Sequence, residues 1–230
     1  MEEKLIAFLI FTILFLLMLY GIQKLFLGFK LDPEISRKIA HTFSCLASLM
    51  FPLFLDSSVL VGALGVLFTL IMLFAKRRNL LTSIDSVNRK SIGSILLPFS
   101  IAMAFVISKS FNDSRIFYLP VTILAISDPL AGLTPFIFRK TRRLKIFNLQ
   151  LNKSIEGTLL FFFSSLVISF FSLYSSQEHS NISIIIIGSV IAVLTTVTEA
   201  LSSKGWDNLT IVLVALLTYI SLTNFLYLNF

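Results

Sequence analysis

LAISDPLAGLTP, residues 124–135, is the stretch on which the reading of this chain turns. Asp128 lies between Ser127 and Pro129 in an otherwise apolar run, and Gly132 and Pro135 follow it closely. An ionisable side chain at membrane depth costs at least a few kcal/mol. A proline inside a helix removes a backbone hydrogen bond. Irregular backbone at that depth is tolerated only where protein or a water-filled cavity satisfies it. The stretch therefore predicts a membrane helix that breaks just after Asp128 and lines a polar cavity. The alternative use of Asp128 is structural, as the partner of a lysine or arginine on a neighbouring helix.

The surrounding chain fits a membrane setting. Of its 230 residues 56% are hydrophobic and only 13% charged, with a mean hydropathy of +0.92. That balance excludes an ordinary soluble domain. A span takes about 20 mostly apolar residues, and eight such segments can be drawn, at 5–27, 35–55, 57–75, 92–108, 117–138, 155–174, 182–201 and 209–228. The expected class is an all-α polytopic integral membrane protein with about eight transmembrane helices (seven if 92–108 is not a span), forming a single transmembrane domain over residues 1–230. The first segment lacks a small-residue cleavage site, which predicts a retained span rather than a signal peptide. The lone Cys45 cannot form an intrachain disulfide.

The net charge is +7, but its placement speaks of topology. With eight spans, all the basic residues except Lys4, Lys109 and Arg115 fall on one side of the membrane. The positive-inside rule makes that side cytoplasmic and puts both termini outside. The basic clusters have no interleaved aromatics and match no nucleic-acid-binding motif, so no nucleic-acid partner is expected.

The remaining polar residues gather on that same side. In DPEISRKIAH (32–41) Asp32 is a natural N-cap and Pro33 a first helical residue. Arg37 and Lys38 are placed to hold phosphate, and His41 lies one turn deeper. Arg89 stands where the chain enters the 92–108 segment. In NKSIEGTLLFFF (152–163) either Asn152 or Ser154 can cap the helix, Lys153 and Glu156 are one turn apart, and Gly157 allows close approach of another backbone. A lysine beside a helix N-terminus suits an anion. In TEALSSKGWDNLT (198–210) Glu199 sits at a helix C-terminus, where the dipole disfavours an acid and a cation is wanted. Asp207 and Asn208 open the next helix, and Trp206 suits an interfacial anchor. Asp128, Glu199, Asp207 and Asn208 together form an all-oxygen set suited to magnesium. There is no phosphate-loop signature and no zinc-spaced Cys/His cluster.

Taken in order, RKIAH (37–41), RKSIGSILLPFSIAMAF (89–105), SDPLAGL (127–133), NKSIEGTLLFFF (152–163) and EALSSKGWDNLTIVL (199–213) resemble the polyprenol kinase family, which includes phytol, farnesol and dolichol kinases and CTP-dependent diacylglycerol kinases. The resemblance spans residues 34 to 215. It implies an integral-membrane kinase that moves a phosphoryl group from CTP, with Mg2+, to a lipid alcohol drawn from the bilayer. It implies catalytic roles for Asp128, His41 and Lys153, nucleotide contacts from Arg37, Lys38, Arg89, Lys153, Ser154 and Gly157, and metal contacts from Asp128, Glu199, Asp207 and Asn208. The active site would face the cytoplasm, in the cell membrane of a prokaryote or in an endoplasmic reticulum or organelle membrane otherwise. Ser127-Asp128-Pro129 departs from the Gly-Asp of many relatives, which leaves the substrate subgroup open. Phosphatidate cytidylyltransferases share a similar Asp followed by a Lys-x-x-Glu-Gly element, but their later His-Gly-Gly motif is missing, so they rank second. A membrane transporter is the reading from another class, since broken helices with a midplane charge also occur there.

Overall fold

Helix ends are set by local chemistry that the sequence already carries. Asp32 caps α2 (Pro33–Ser48), its side chain accepting from the Glu34 amide at 2.8 Å, with Pro33 in the first turn. Ser57 caps α4 (Ser58–Arg77), and Asn112 closes α6 (Gly93–Phe111) in the left-handed region that asparagine tolerates. The computed structural model describes residues 2–85, 91–138, 140–146, 149–174 and 181–229. Within them the other long helices are α1 (Glu2–Phe29), α7 (Arg115–Gly132), α9 (Ile155–Tyr174), α10 (Asn181–Leu201) and α11 (Asp207–Asn229). Three single-turn helices lie between: α3 (Phe51–Phe54), α5 (Thr82–Asp85) and α8 (Thr134–Ile137).

Every one of the eight expected segments is helical, but six helices among the described residues are long and apolar enough to cross a membrane: α1, α4, α6, α9, α10 and α11. The expected count of seven to eight is not reached on that measure. The two that fall short do so for identifiable reasons. α2 has 16 residues and carries Arg37, Lys38 and His41. α7 has 18 residues and carries Arg115, Asp128, Pro120 and Pro129. The six helices turn large apolar side chains outward, among them Leu9, Ile13 and Leu17 of α1, Val167 and Phe171 of α9, and Ile185 and Val193 of α10. Surfaces so apolar are lipid-facing rather than wet. The protein is a helical integral membrane protein.

α7 is the axis of the bundle. It packs against α2, α6, α9 and α11, and most of its circumference is buried, from Ile116 and Phe117 through Leu124 and Ala125 to Asp128 and Ala131, leaving Ile126 and Leu130 on one outward stripe. Asp128 lies on the buried side, so its carboxylate has only protein to pair with. As expected, α7 breaks just after Asp128: it runs through Pro129 for one turn and ends at Gly132, where the Leu133 amide closes on the Pro129 carbonyl at 2.9 Å.

The all-α expectation holds, with one short non-helical element among the described residues. A short antiparallel ribbon, β1 (Arg143–Ile146) and β2 (Leu149–Ser154), leads into α9, with Arg143 opposite Ser154 and Lys145 opposite Gln150. This stretch reads as a loop in the sequence because it is too short and too basic to show alternation.

At the end of the bundle where α6 gives way to α7, Asp113 accepts from the Arg115 amide and guanidinium at 2.9 Å and from the Tyr219 hydroxyl of α11 at 2.7 Å. Partial burial pushes the Asp113 carboxyl up, but these hydrogen bonds outweigh it and hold it below the ordinary aspartate range. The stability it contributes is present above the unfolded value near ~3.9 and is lost as pH falls through the lower folded value. Asp113→Asn is expected to lower the melting temperature at neutral pH and to flatten the acid side of the profile, with variant and parent converging at low pH. A steep acid dependence retained in that variant would contradict this assignment.

Candidate functional site

Polar side chains gather at the opposite end of the bundle, where α2 and α11 begin and β2, α7 and α10 end. Two linked ion-pair groups occupy it. In the first, Lys38 of α2 donates to Asp128 Oδ2 at 2.6 Å and reaches the Asp128 carbonyl at 3.3 Å. Lys38 is 5% exposed and Asp128 2%. Gly132 makes the contact reachable, since a Cβ there would collide with the Lys38 side chain as it crosses α7. His41, one turn deeper, points Nε2 at the Leu124 carbonyl at 2.8 Å, with Asp128 Oδ2 3.6 Å away. Only a protonated Nε2 can bond to that carbonyl, so the basic nitrogen of a neutral His41 is Nδ1, not the atom facing Asp128.

The second group centres on Lys153, the penultimate residue of β2. Its Nζ is hydrogen-bonded to Glu199 Oε1 at the end of α10 and lies 3.5 Å from Asp207 Oδ2 at the start of α11. Burial would push the Lys153 ammonium down, but Glu199, Asp207 and Asp128 outweigh it and hold it above the ordinary lysine value of 10.5. It stays charged throughout the neutral range, and the stability it contributes is lost only as pH rises through that raised value. The cation that the Glu199 position calls for is therefore this lysine. The other oxygen of Glu199, Oε2, is buried and lacks a hydrogen-bond partner.

Lys153 and Glu156, one turn apart in the sequence, do not pair with each other. Glu156 instead accepts from the Arg142 amide at 2.9 Å and its guanidinium at 3.2 Å. The ribbon brings Arg142 over the start of α9 and turns Lys153 inward. Of the two expected caps, Ser154 accepts from the Gly157 amide at 3.1 Å; the Asn152 side chain lies outside the described residues. Gly157 allows the close backbone approach expected of it, since a Cβ would lie 2.9 Å from the Ala131 carbonyl and 3.0 Å from Thr134 Oγ1. Arg37 pairs with Glu34 at 2.5 Å, leaving its Nε buried without a partner. Asn208 spends its amide on the Gly93 carbonyl at 2.7 Å, which ties α11 to α6. Arg89 lies outside the described residues.

That tie belongs to a clasp the sequence did not announce. The Ile92 amide donates to the Lys204 carbonyl at 2.9 Å, and Gly205, at φ +89°, lies so close to Gly93 that a Cβ there would strike its backbone. Gly205→Ala is therefore expected to destabilise the fold by ~1–3 kcal/mol, from left-handed strain alone and more from the clash. Thermal unfolding in detergent checks this, and an unchanged midpoint would contradict the clasp.

Among the described residues no three His, Cys, Asp or Glu side chains converge closely enough to hold a metal ion. The expected set of Asp128, Glu199, Asp207 and Asn208 is thus not one ligand shell, since Asp128 faces Lys38. Glu199 and Asp207 do share a neighbour in Lys153, and Glu199 has an oxygen to spare. That fits magnesium brought in on a polyphosphate, which takes one or two carboxylates from protein.

Fold and site together define a helical membrane protein with a buried, charge-paired polar centre at one end of its bundle. Comparisons with protein-family models, curated proteins and solved structures return no match.

Proposed function

We propose that the protein is a CTP-dependent lipid-alcohol kinase that phosphorylates the hydroxyl of an isoprenoid alcohol or diacylglycerol, with Mg2+ carried on the nucleotide. The observation that carries this reading is the meeting of Lys153, Glu199 and Asp207, from three separated parts of the chain, beside the buried Lys38–Asp128–His41 group. A cation flanked by acids suits a metal–polyphosphate, and a carboxylate nearby within the bilayer suits an alcohol that never leaves it. In the same reading α2 and α7 also cross the membrane, giving eight spans, and the charged end faces the cytoplasm in accord with the basic loops.

In the transfer, the lipid hydroxyl oxygen bonds to the γ-phosphorus, the bridging bond to the β-phosphate breaks, and the nucleoside diphosphate leaves. Such reactions depend mainly on positioning and charge stabilisation. Lys153 steadies the phosphate oxygens, and Asp128 takes the hydroxyl proton, with Lys38 holding its carboxylate in place. His41 orients that pair through the Leu124 carbonyl. Magnesium, when bound with the nucleotide by Glu199 and Asp207, supplies charge neutralisation on the phosphates.

The test is γ-labelled CTP or ATP with magnesium, offered with a panel of isoprenoid alcohols and diacylglycerol. Label recovered in a lipid supports the kinase. Cytidine transferred to phosphatidate with no label in any alcohol would move the protein to nucleotidyl transfer. Silence in both, with uptake of solute into liposomes, would favour a transporter.

A further inference from the structure

A narrow cavity runs lengthwise between α1, α2, α4 and α6. At its mouth stand Arg37, Gly93 and Asn208, and its far end reaches Ser48 and Phe51. Measured along α2 from Arg37 to Ser48, it is ~16 Å deep at ~1.5 Å per residue. Its walls are almost wholly apolar, with Leu64, Phe68 and Leu97 among them. His41 lines it as well, with Nε2 3.6 Å from Asp128 Oδ2, so this imidazole adjoins both the cavity and the carboxylate. Its floor is a packed aromatic cluster in which Phe51 meets Phe11 at 5.0 Å and Phe105 at 6.3 Å, and Phe15 meets Phe68 at 5.3 Å.

We propose that this cavity seats a single hydrocarbon chain of bounded length, its polar head held at Arg37 and Asn208 and its tail stopped by the Phe51 cluster. The identity of the head as an alcohol rests on the kinase reading; the single chain and its length limit rest on the cavity alone. Two features carry the choice. The first is polarity: a buried Arg37 Nε without a partner sits at one end, while the serines farther in, Ser44 and Ser48, turn their hydroxyls to Met18 Sδ and the Ser44 carbonyl, the distribution a polar-headed chain requires. The second is width. The cavity is about 80 Å³, less than one chain of this length fills, so a second chain would demand a much wider parting of the helices than the first. One chain needs an outward give of a wall, and α1 is the wall that can give it. Its side-chain hydrogen bonds to other elements sit towards its ends, Lys4 to the Asp56 carbonyl and Gln23 to Thr82 and Ser83. Between them Ser44 gives only a long contact to Met18 Sδ, at 3.9 Å. At ~1.2 Å per bond of an extended chain, ~16 Å takes about a dozen chain atoms, the length of three isoprene units.

The test uses the full chain in lipid nanodiscs, where no detergent competes. A fifteen-carbon prenol with a diazirine at its far end is photolysed on the protein, and the labelled residues are mapped by mass spectrometry. Label on Phe51, Phe68 or Phe15 is expected; label confined to outward-facing residues such as Phe54 and Leu70 would overturn the proposal. In parallel, the rise in melting temperature is measured over a series of single-chain alcohols and for diacylglycerol. The rise should peak near three isoprene units and fall off beyond, and Phe51→Ala should move the peak to longer chains. Leu64→Trp, which fills the slot, should abolish the rise. A diacylglycerol response equal to that of the best alcohol, or a peak that neither variant moves in folded protein, would overturn it. Length-selective binding without phosphate transfer would leave the slot standing and sink the kinase; transfer to diacylglycerol without alcohol binding would do the reverse.

Discussion

Asp128→Asn is expected to reduce lipid phosphorylation by about 10²–10⁴-fold, the range for loss of a positioned proton acceptor. The same substitution leaves the Lys38 ammonium buried opposite a neutral amide, and breaking one half of a buried pair costs ~3–5 kcal/mol. Loss of activity could then be mere loss of fold, so the design needs a second variant. Replacing both partners, Lys38→Met with Asp128→Leu, removes the two charges together, and apolar replacement of a buried pair is often neutral or stabilising. The double variant is expected to recover the melting temperature of the parent and to remain inactive. If it recovered activity along with stability, Asp128 would be a structural partner of Lys38 and nothing more.

The second large effect is expected at Lys153. Lys153→Met should raise the KM for the nucleotide roughly a hundredfold, within the ~2–5 kcal/mol range for truncating one partner of a buried, hydrogen-bonded charge pair. It also leaves Glu199 and Asp207 facing each other without their shared cation, so the binding of nucleotide should become more dependent on magnesium than in the parent. Lys153→Arg keeps the charge and should recover much of the KM while turnover stays low, because a planar guanidinium does not reproduce a compact ammonium. Equilibrium binding of a nonhydrolysable nucleotide separates this from a defect in chemistry. An unchanged KM in a folded Lys153→Met protein would remove the nucleotide from this end of the bundle.

The helices were legible in the sequence because long apolar runs bounded by Asp32, Ser57 or Asn112 leave little choice of structure. The number of spans was less so: α2 and α7 trade apolar length for Arg37, Lys38, His41 and Asp128, and a rule based on hydropathy loses what the site gains. The gathering of Asp128, Lys153, Glu199 and Asp207 at one end followed from counting charges by loop. Their pairing did not. Lys153 and Glu156 satisfy helical spacing, yet Lys153 belongs to a strand, and a ribbon of ten or so basic and mixed residues has no periodicity to betray it. Lys38 was legible as a phosphate ligand; its turn inward depends on the missing side chain of Gly132, ninety-odd residues away. The Asn208–Gly93 bond, across 115 positions, has no signature in a single sequence.

Lys38 and Lys153 also stand in a particular order. Chains fold from the N-terminus as they are made, and in each ion-pair group the cation is synthesised before its acid: Lys38 before Asp128, and Lys153 before both Glu199 and Asp207. A lysine can wait at the headgroups on its long stem, whereas the shorter acid side chains have less reach. Each acid is thus made after the cation it pairs with. Exchanging the partners, Lys38→Asp with Asp128→Lys, would keep the finished pair and reverse that order, so a defect in insertion rather than in the stability of the folded protein is what it should reveal.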